Sequence, residues 1–165
     1  MRVLYVAAWI RFSPNWQGHG SGVNKMLYVW GGTAPFVYTM AHGAGGEPLR
    51  PVITLQGLAA PYTNGQGATA NTVNLAQNVG APVTIPRGAW VRYEYVFTLN
   101  TAGAATGSVD AWVNGTPTHH FTGVTFTAAG GTWSLVKWAP VWGGIGGTVT
   151  SAMSQQIDHL YVSGK

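Results

Sequence analysis

The chain contains no cysteine. That excludes a disulfide framework, a thiolate zinc site and a cysteine nucleophile, and it leaves the cellular compartment open. Charge is almost as scarce. Charged residues make up 7% of the chain, against about 25% in ordinary domains. The only acids are Glu47, Glu94, Asp110 and Asp158. No apolar run approaches the ~18 residues of a transmembrane helix. The helix formers Glu, Lys and Gln are few, which argues against a helical fold. The opening run Met1–Ile10 imitates the core of a signal peptide. It is short, it is followed by Arg11, and it lacks a small-x-small cleavage site, so it reads as a strand.

What is present is apolar and turn-rich. Hydrophobic residues reach 46%, aromatics 12%, with 24 Gly and 9 Pro in 165 residues. That is enough apolar material for a core, and the length fits a single domain over residues 1–165. The net charge of +4 arises from the shortage of acids. Arg2, Arg11, Lys25, Arg50, Arg87, Arg92, Lys137 and Lys165 are scattered. Nucleic-acid binding needs a concentrated basic stripe, and none is visible. An acidic polysaccharide needs only a few cations in one groove.

Alternation of apolar and polar residues recurs in short runs. It predicts strands at Leu4–Phe12, Lys25–Trp30, Phe36–His42, Pro51–Gln56, Trp90–Leu99, Ser108–Asn114, Thr118–Thr122, Thr132–Trp138 and Ile157–Ser163. Turn signals such as Gly31-Gly32, Gly45-Gly46, Asn64-Gly65, Asn114-Gly115 and Gly130-Gly131 separate them. Gly57–Gly80 and Ala139–Gln155 read as long loops. Many short strands with glycine-rich turns imply an all-β fold, a two-sheet antiparallel sandwich of the jelly-roll kind. In Trp90–Leu99 the row Val91, Tyr93, Tyr95, Phe97, Leu99 should face the core. Arg92 and Glu94 should face outward, on the same side as Trp112 of the next strand. Trp9 and Arg11 form a similar pair on the opening strand.

Several of these residues also form an ordered set. Phe12-Ser13-Pro14-Asn15-Trp16, the spaced Gly88, Trp90, Arg92 and Glu94, then Asn100 and the Asp110–Gly115 hairpin come first. Trp138–Gly144 and the closing Ile157–Gly164 complete it. Together they resemble the concanavalin A-like lectin/glucanase superfamily. Within it they are most similar to the polysaccharide-lyase-type jelly rolls, the alginate and glucuronan lyase relatives, and to similar viral and metagenomic domains. The resemblance implies two stacked antiparallel sheets with a carbohydrate groove on the concave one. Fuller members carry a leading segment before the strand that begins here at Leu4. A missing leading strand, or an edge covered by a second copy or a partner strand, is therefore expected. An extracellular or virion-associated setting is the accompanying expectation.

Three functions follow as expectations. The first is polysaccharide binding through Trp9, Arg11, Arg92, Glu94 and Trp112, with aromatic faces stacking on sugar rings. The second is a lyase that eliminates across a uronate polymer. It needs a cation to neutralise the carboxylate and a base to take the α-proton. Arg92 (or Arg11) fills the first role, and His42, Tyr38 or His159 the second, with Gln56 or Asn24 assisting. The third is a structural or attachment domain without catalysis. A glycoside hydrolase is disfavoured, because the four acids form no alternating pair on one strand and only Glu94 with Asp110 could meet across strands. The same side chains also have structural readings. Arg92 and Glu94 can simply pair as ions, Trp9 and Trp112 can pack under loops, and Trp142 can anchor its glycine-rich loop. His119 and His120 are adjacent on a strand and must face opposite ways, so they make no metal pair. Asp158 could help to bind a structural Ca²⁺, but such sites take 6–8 oxygens and acids are scarce. No cofactor or metal is expected, and Gly143–Gly147 lacks the lysine of a phosphate loop.

Overall fold

A computed structural model describes residues 1–32, 35–69 and 71–165. Eleven strands form two antiparallel sheets. The strands are β1 (Val3–Phe12), β2 (Asn24–Trp30), β3 (Phe36–His42), β4 (Arg50–Gln56), β5 (Gln66–Thr69), β6 (Thr72–Ala76), β7 (Trp90–Thr98), β8 (Gly107–Val113), β9 (Thr116–Val124), β10 (Leu135–Trp142) and β11 (Gln155–Gly164). The five-stranded sheet has the order β11-β1-β7-β8-β9, and the six-stranded sheet has β10-β2-β3-β4-β6-β5. The described residues contain no helix, and so none that could cross a membrane.

Every strand expected from alternation forms. Met1–Ile10 contributes to β1, which is paired on both sides, by β11 and β7. The edges of that sheet are β11 and β9. Two expectations need correction. Ala139–Gln155 is not all loop, because β10 runs on to Trp142 and β11 begins at Gln155. Gly57–Gly80 is not all loop either, because it holds the hairpin β5–β6 that extends the larger sheet. Val73 and Leu75 of β6 are buried in the core. Two apolar residues two apart suffice for a strand when the neighbouring β4 supplies the ladder.

The core fills the space between the sheets. Val91, Tyr93, Tyr95, Phe97 and Leu99 are all buried, and the rings of Tyr93, Tyr95 and Phe97 stack along β7 at 6.3 and 5.9 Å. They meet Val37, Ala41, Ile53, Leu55, Val73 and Leu75 from the opposing sheet. Each fully buried large side chain contributes roughly 1.5–3 kcal/mol of transfer free energy. Burial pushes the Tyr93 and Tyr95 hydroxyls well above the ordinary tyrosine range. His119 also points inward, and its Nε2 lies 3.2 Å from the Leu75 carbonyl oxygen. Its neighbour His120 points outward, 2.6 Å from Asp110. The Asn114-Gly115 turn has φ of 49° and 77°, the two positive values a type I′ hairpin requires.

Candidate functional site

The two sheets turn very different faces to solvent. The strands of the six-stranded sheet carry Lys25, Arg50 and Lys137 and no Asp or Glu at all. The strands of the five-stranded sheet carry Glu94, Asp110 and Asp158 beside Arg11 and Arg92. Among the described residues the Arg92–Glu94 ion pair and the His120–Asp110 and His159–Asp158 contacts all lie on the five-stranded side.

The outer face of the six-stranded sheet is built in rows by strand register. Lys137, Tyr28, Tyr38, Thr54 and Asn74 face one another across five strands. Trp30, Phe36 and Gln56 form the next row, and His42 pairs with Arg50 at the far end. Tyr28, Trp30, Phe36 and Tyr38 pack as one aromatic cluster with ring separations of 5.2 to 5.9 Å. Burial, followed by the proximity of Tyr38, raises the Tyr28 hydroxyl above its ordinary value.

A bulge in β2 adds the central cation. Lys25 and Tyr28 are three apart, an odd spacing that ordinarily sends side chains to opposite faces. Their partners Met40 and Tyr38 are two apart, and the register shifts between them. The bulge therefore lets both Lys25 and Tyr28 face outward. The Lys25 ammonium sits 4.3 Å from the centroid of the Tyr38 ring, a cation–π distance.

His42 and Arg50 line a cavity of 510 Å³ together with Val52, Gln66 and Asn78. The segment after β6 shapes its rim. The Gln77 side chain donates to the carbonyls of Val79 and Ala81 at 2.9 and 2.6 Å and accepts from the Val83 N–H. Beneath His42, the Asn24 amide donates to the carbonyls of Ala41 and Gly43 at 2.8 and 3.1 Å and to that of Gly22. The β3 terminus that presents His42 is thereby pinned. Asn24 is fully buried and cannot assist a substrate.

The remaining expected residues lie elsewhere. Trp9 pairs with Arg92, and Glu94 pairs with Trp112, all on the outer face of the five-stranded sheet. Arg11 ends that array opposite Trp90, and its buried Nε has no hydrogen-bond partner among the described residues. Arg92 binds Glu94 at 3.0 Å, and Glu94 also accepts from Tyr5 at 2.7 Å. Glu94 and Asp110 do lie on neighbouring strands, but the first is held by Arg92 and Tyr5 and the second by His120. Arg92 therefore does not meet His42 or Tyr38, because the whole sandwich separates them. The expected trio of Arg92, His42 and Tyr38 does not assemble, and Lys25 and Arg50 are the cations near the other two. Sequence reasoning passed over Lys25 because the bulge breaks the period of two. Acids are absent from eight of the eleven strands, β1 and β9 of the other sheet among them, so only the sheet order reveals which face is free of them. Trp142 is a loop anchor, donating to the Gln17 carbonyl at 2.7 Å and packing edge-on against His19.

No family model matches the chain, and no curated protein matches it. Solved structures do. The alginate lyase Aly36B, with a lysine and a tyrosine replaced by alanine and bound to an alginate tetrasaccharide, superposes with a TM-score of 0.56 at 15% identity. The match covers 98% of this chain and 67% of that one. An endo-β-1,4-glucuronan lyase from the fungus Trichoderma reesei gives 0.58 at 18% identity, covering 99% and 68%. At such identities the likeness establishes the architecture. The chain folds as a polysaccharide-lyase-like β-sandwich and spans about two thirds of the length of these neighbours.

Proposed function

We propose that the chain is a concanavalin A-like jelly roll that acts on a uronate-containing polysaccharide by β-elimination, and that the site is the outer face of the six-stranded sheet. The observation that carries this reading is the charge partition. Lys25, Arg50 and Lys137 share acid-free strands with His42 and Tyr38. A polyanion finds attraction along that face and no carboxylate on its strands to repel it. The lyase neighbours support the same reading, and a lysine and a tyrosine are the residue types replaced in the one bound to tetrasaccharide.

In this proposal Lys25 neutralises the uronate carboxylate, which stabilises the negative charge that develops as the α-proton leaves. Tyr38 exchanges the protons. The C5–H bond breaks, its electrons form the C4=C5 double bond, the C4–O bond to the leaving sugar breaks, and the departing oxygen takes a proton. His42 and Arg50 hold an adjacent uronate in the 510 Å³ cavity, within the ~300–1,000 Å³ of ligand sites. Gln56, Asn74 and Gln66 offer hydrogen bonds to hydroxyls along the rows.

The test is incubation with polymannuronate, polyguluronate and polyglucuronate while following the ultraviolet absorbance of the unsaturated product. Absorbance growth with at least one polymer, abolished in Lys25→Ala, is expected. No product from any of the three across pH 5–9 sinks the enzymatic reading. Binding of those polymers without product would leave this face a polyanion-binding surface.

A further inference from the structure

The opposite face carries its own architecture, which the elimination reaction does not use. On the five-stranded sheet the residues Tyr161, Ala7, Glu94 and Trp112 lie directly opposite one another in a single row across four strands. Three inter-strand steps make this row about 14 Å long. Aromatic rings stand at its two ends, a methyl group forms the floor, and a carboxylate lies between. Trp9 and Arg92 flank it in the next row. Trp9 and Tyr161 are 38% and 58% exposed and border one cleft together.

A second bulge creates this row. Asp158 and Tyr161 are three apart on β11, yet they pair with Trp9 and Ala7, which are two apart on β1. The extra residue turns both outward, and His159 takes φ of 47° to permit it. A non-glycine residue at that φ costs roughly 1–2 kcal/mol, the local cost of seating the extra residue of the bulge. The result is a 360 Å³ cleft lined by Tyr5, Ala7, Trp9, Arg92, His159 and Tyr161.

We infer that this cleft and row form a second, non-catalytic binding site for a neutral pyranose chain. Rings at Tyr161, Trp9 and Trp112 offer flat apolar surface to the C–H faces of successive sugars. Arg92 and Glu94, held together at 3.0 Å, present a fixed donor and acceptor to neighbouring hydroxyls. The charge pattern selects against a uronate. The strands of this sheet carry three carboxylates, Glu94, Asp110 and Asp158, against two arginines, Arg11 and Arg92, and Arg92 is tied to Glu94 at 3.0 Å, so a uronate carboxylate meets a net negative balance. The two sheets thus address different polymers, one acidic and one neutral.

Isothermal titration of the intact chain with cellohexaose, mannohexaose and laminarihexaose tests this. Binding to at least one is expected. Trp112→Ala and Tyr161→Ala should each weaken it about tenfold, which corresponds to 1.4 kcal/mol, and Lys25→Ala should leave it unchanged. Tyr161 lies on the exposed edge strand, so its removal keeps the core intact, and thermal melting checks that. The inference is overturned if none of the three hexasaccharides binds, if binding survives both aromatic substitutions in a folded chain, or if Lys25→Ala abolishes it.

Discussion

Lys25 holds its ammonium 4.3 Å from the centre of the Tyr38 ring, although the two residues come from different strands and only a bulge lets the lysine face that way. If elimination occurs on this face, the pair is its reacting centre. Lys25→Ala and Tyr38→Phe should each lower kcat by about 10²–10⁴, the range of a lost proton-transfer or charge-stabilising group. Arg92→Ala, on the far sheet, should leave kcat within twofold. Initial rates of unsaturated-product formation decide this, and equal losses in all three would refute the assignment.

In the proposed reaction Arg50 lies away from that centre, across from His42 and beside the larger cavity. Its substitution by alanine should raise KM several-fold with kcat nearly unchanged, the signature of lost uniform binding. The wild-type KM should itself rise with added salt, because the attraction is to exposed cations screened over about 10 Å at 0.1 M. In Arg50→Ala the salt response should be shallower. A steady-state titration at low and high salt measures both effects.

Asn24 joins the ends of β2 and β3 from inside the protein. Its amide donates to the carbonyls of Gly22, Ala41 and Gly43, and its Oδ1 accepts from the His19 N–H. Asn24→Ala removes these bonds and strands buried carbonyls, a loss of roughly 2–4 kcal/mol. Urea unfolding should show the midpoint falling with an unchanged m-value. A midpoint equal to that of the wild type would show that the buried amide contributes no net stability.

His119 sets an acid limit on the fold. Burial lowers its pKa to about 4 from an ordinary 6.5, so the native state keeps the ring neutral while the unfolded chain protonates it. Between those two values the unfolded state binds more protons, and stability therefore rises with pH. The contribution is complete above pH 6.5 and is lost as pH falls toward 4, a total of about 3 kcal/mol. Melting temperatures measured across that window should fall with acid in the wild type and fall less in His119→Gln. Parallel curves for the two would exclude His119 as the titrating group.

The architecture was legible because alternation is a local signal. The inward row from Val91 to Leu99 on β7, the period of β1 and the Asn114-Gly115 turn each state their geometry within a few residues. Three features were not legible, for physical reasons. The β5–β6 hairpin is small-residue and polar apart from Val73 and Leu75, and it depends on β4 to be a strand at all. The bulges at Lys25–Tyr28 and Asp158–Tyr161 shift register by one residue, and only the partner strands reveal them. Sheet membership is a long-range property. Arg92, Tyr38 and His42 all read as outward-facing, and nothing local says that the first faces away from the other two. Arg92, Glu94 and Trp112 could be placed on one face from the β7–β8 alternation, whereas Trp9 and Arg11 join them only through the long-range pairing of β1 with β7.

The uneven placement of acids and bases gives the molecule a permanent electrical polarity along the normal to its sheets. A polyanion drifting near it feels a torque before it touches anything, and the sandwich turns its basic side forward during diffusion. Encounter would then be directional in dilute buffer and would lose that directionality in brine, with no change in any bonded contact.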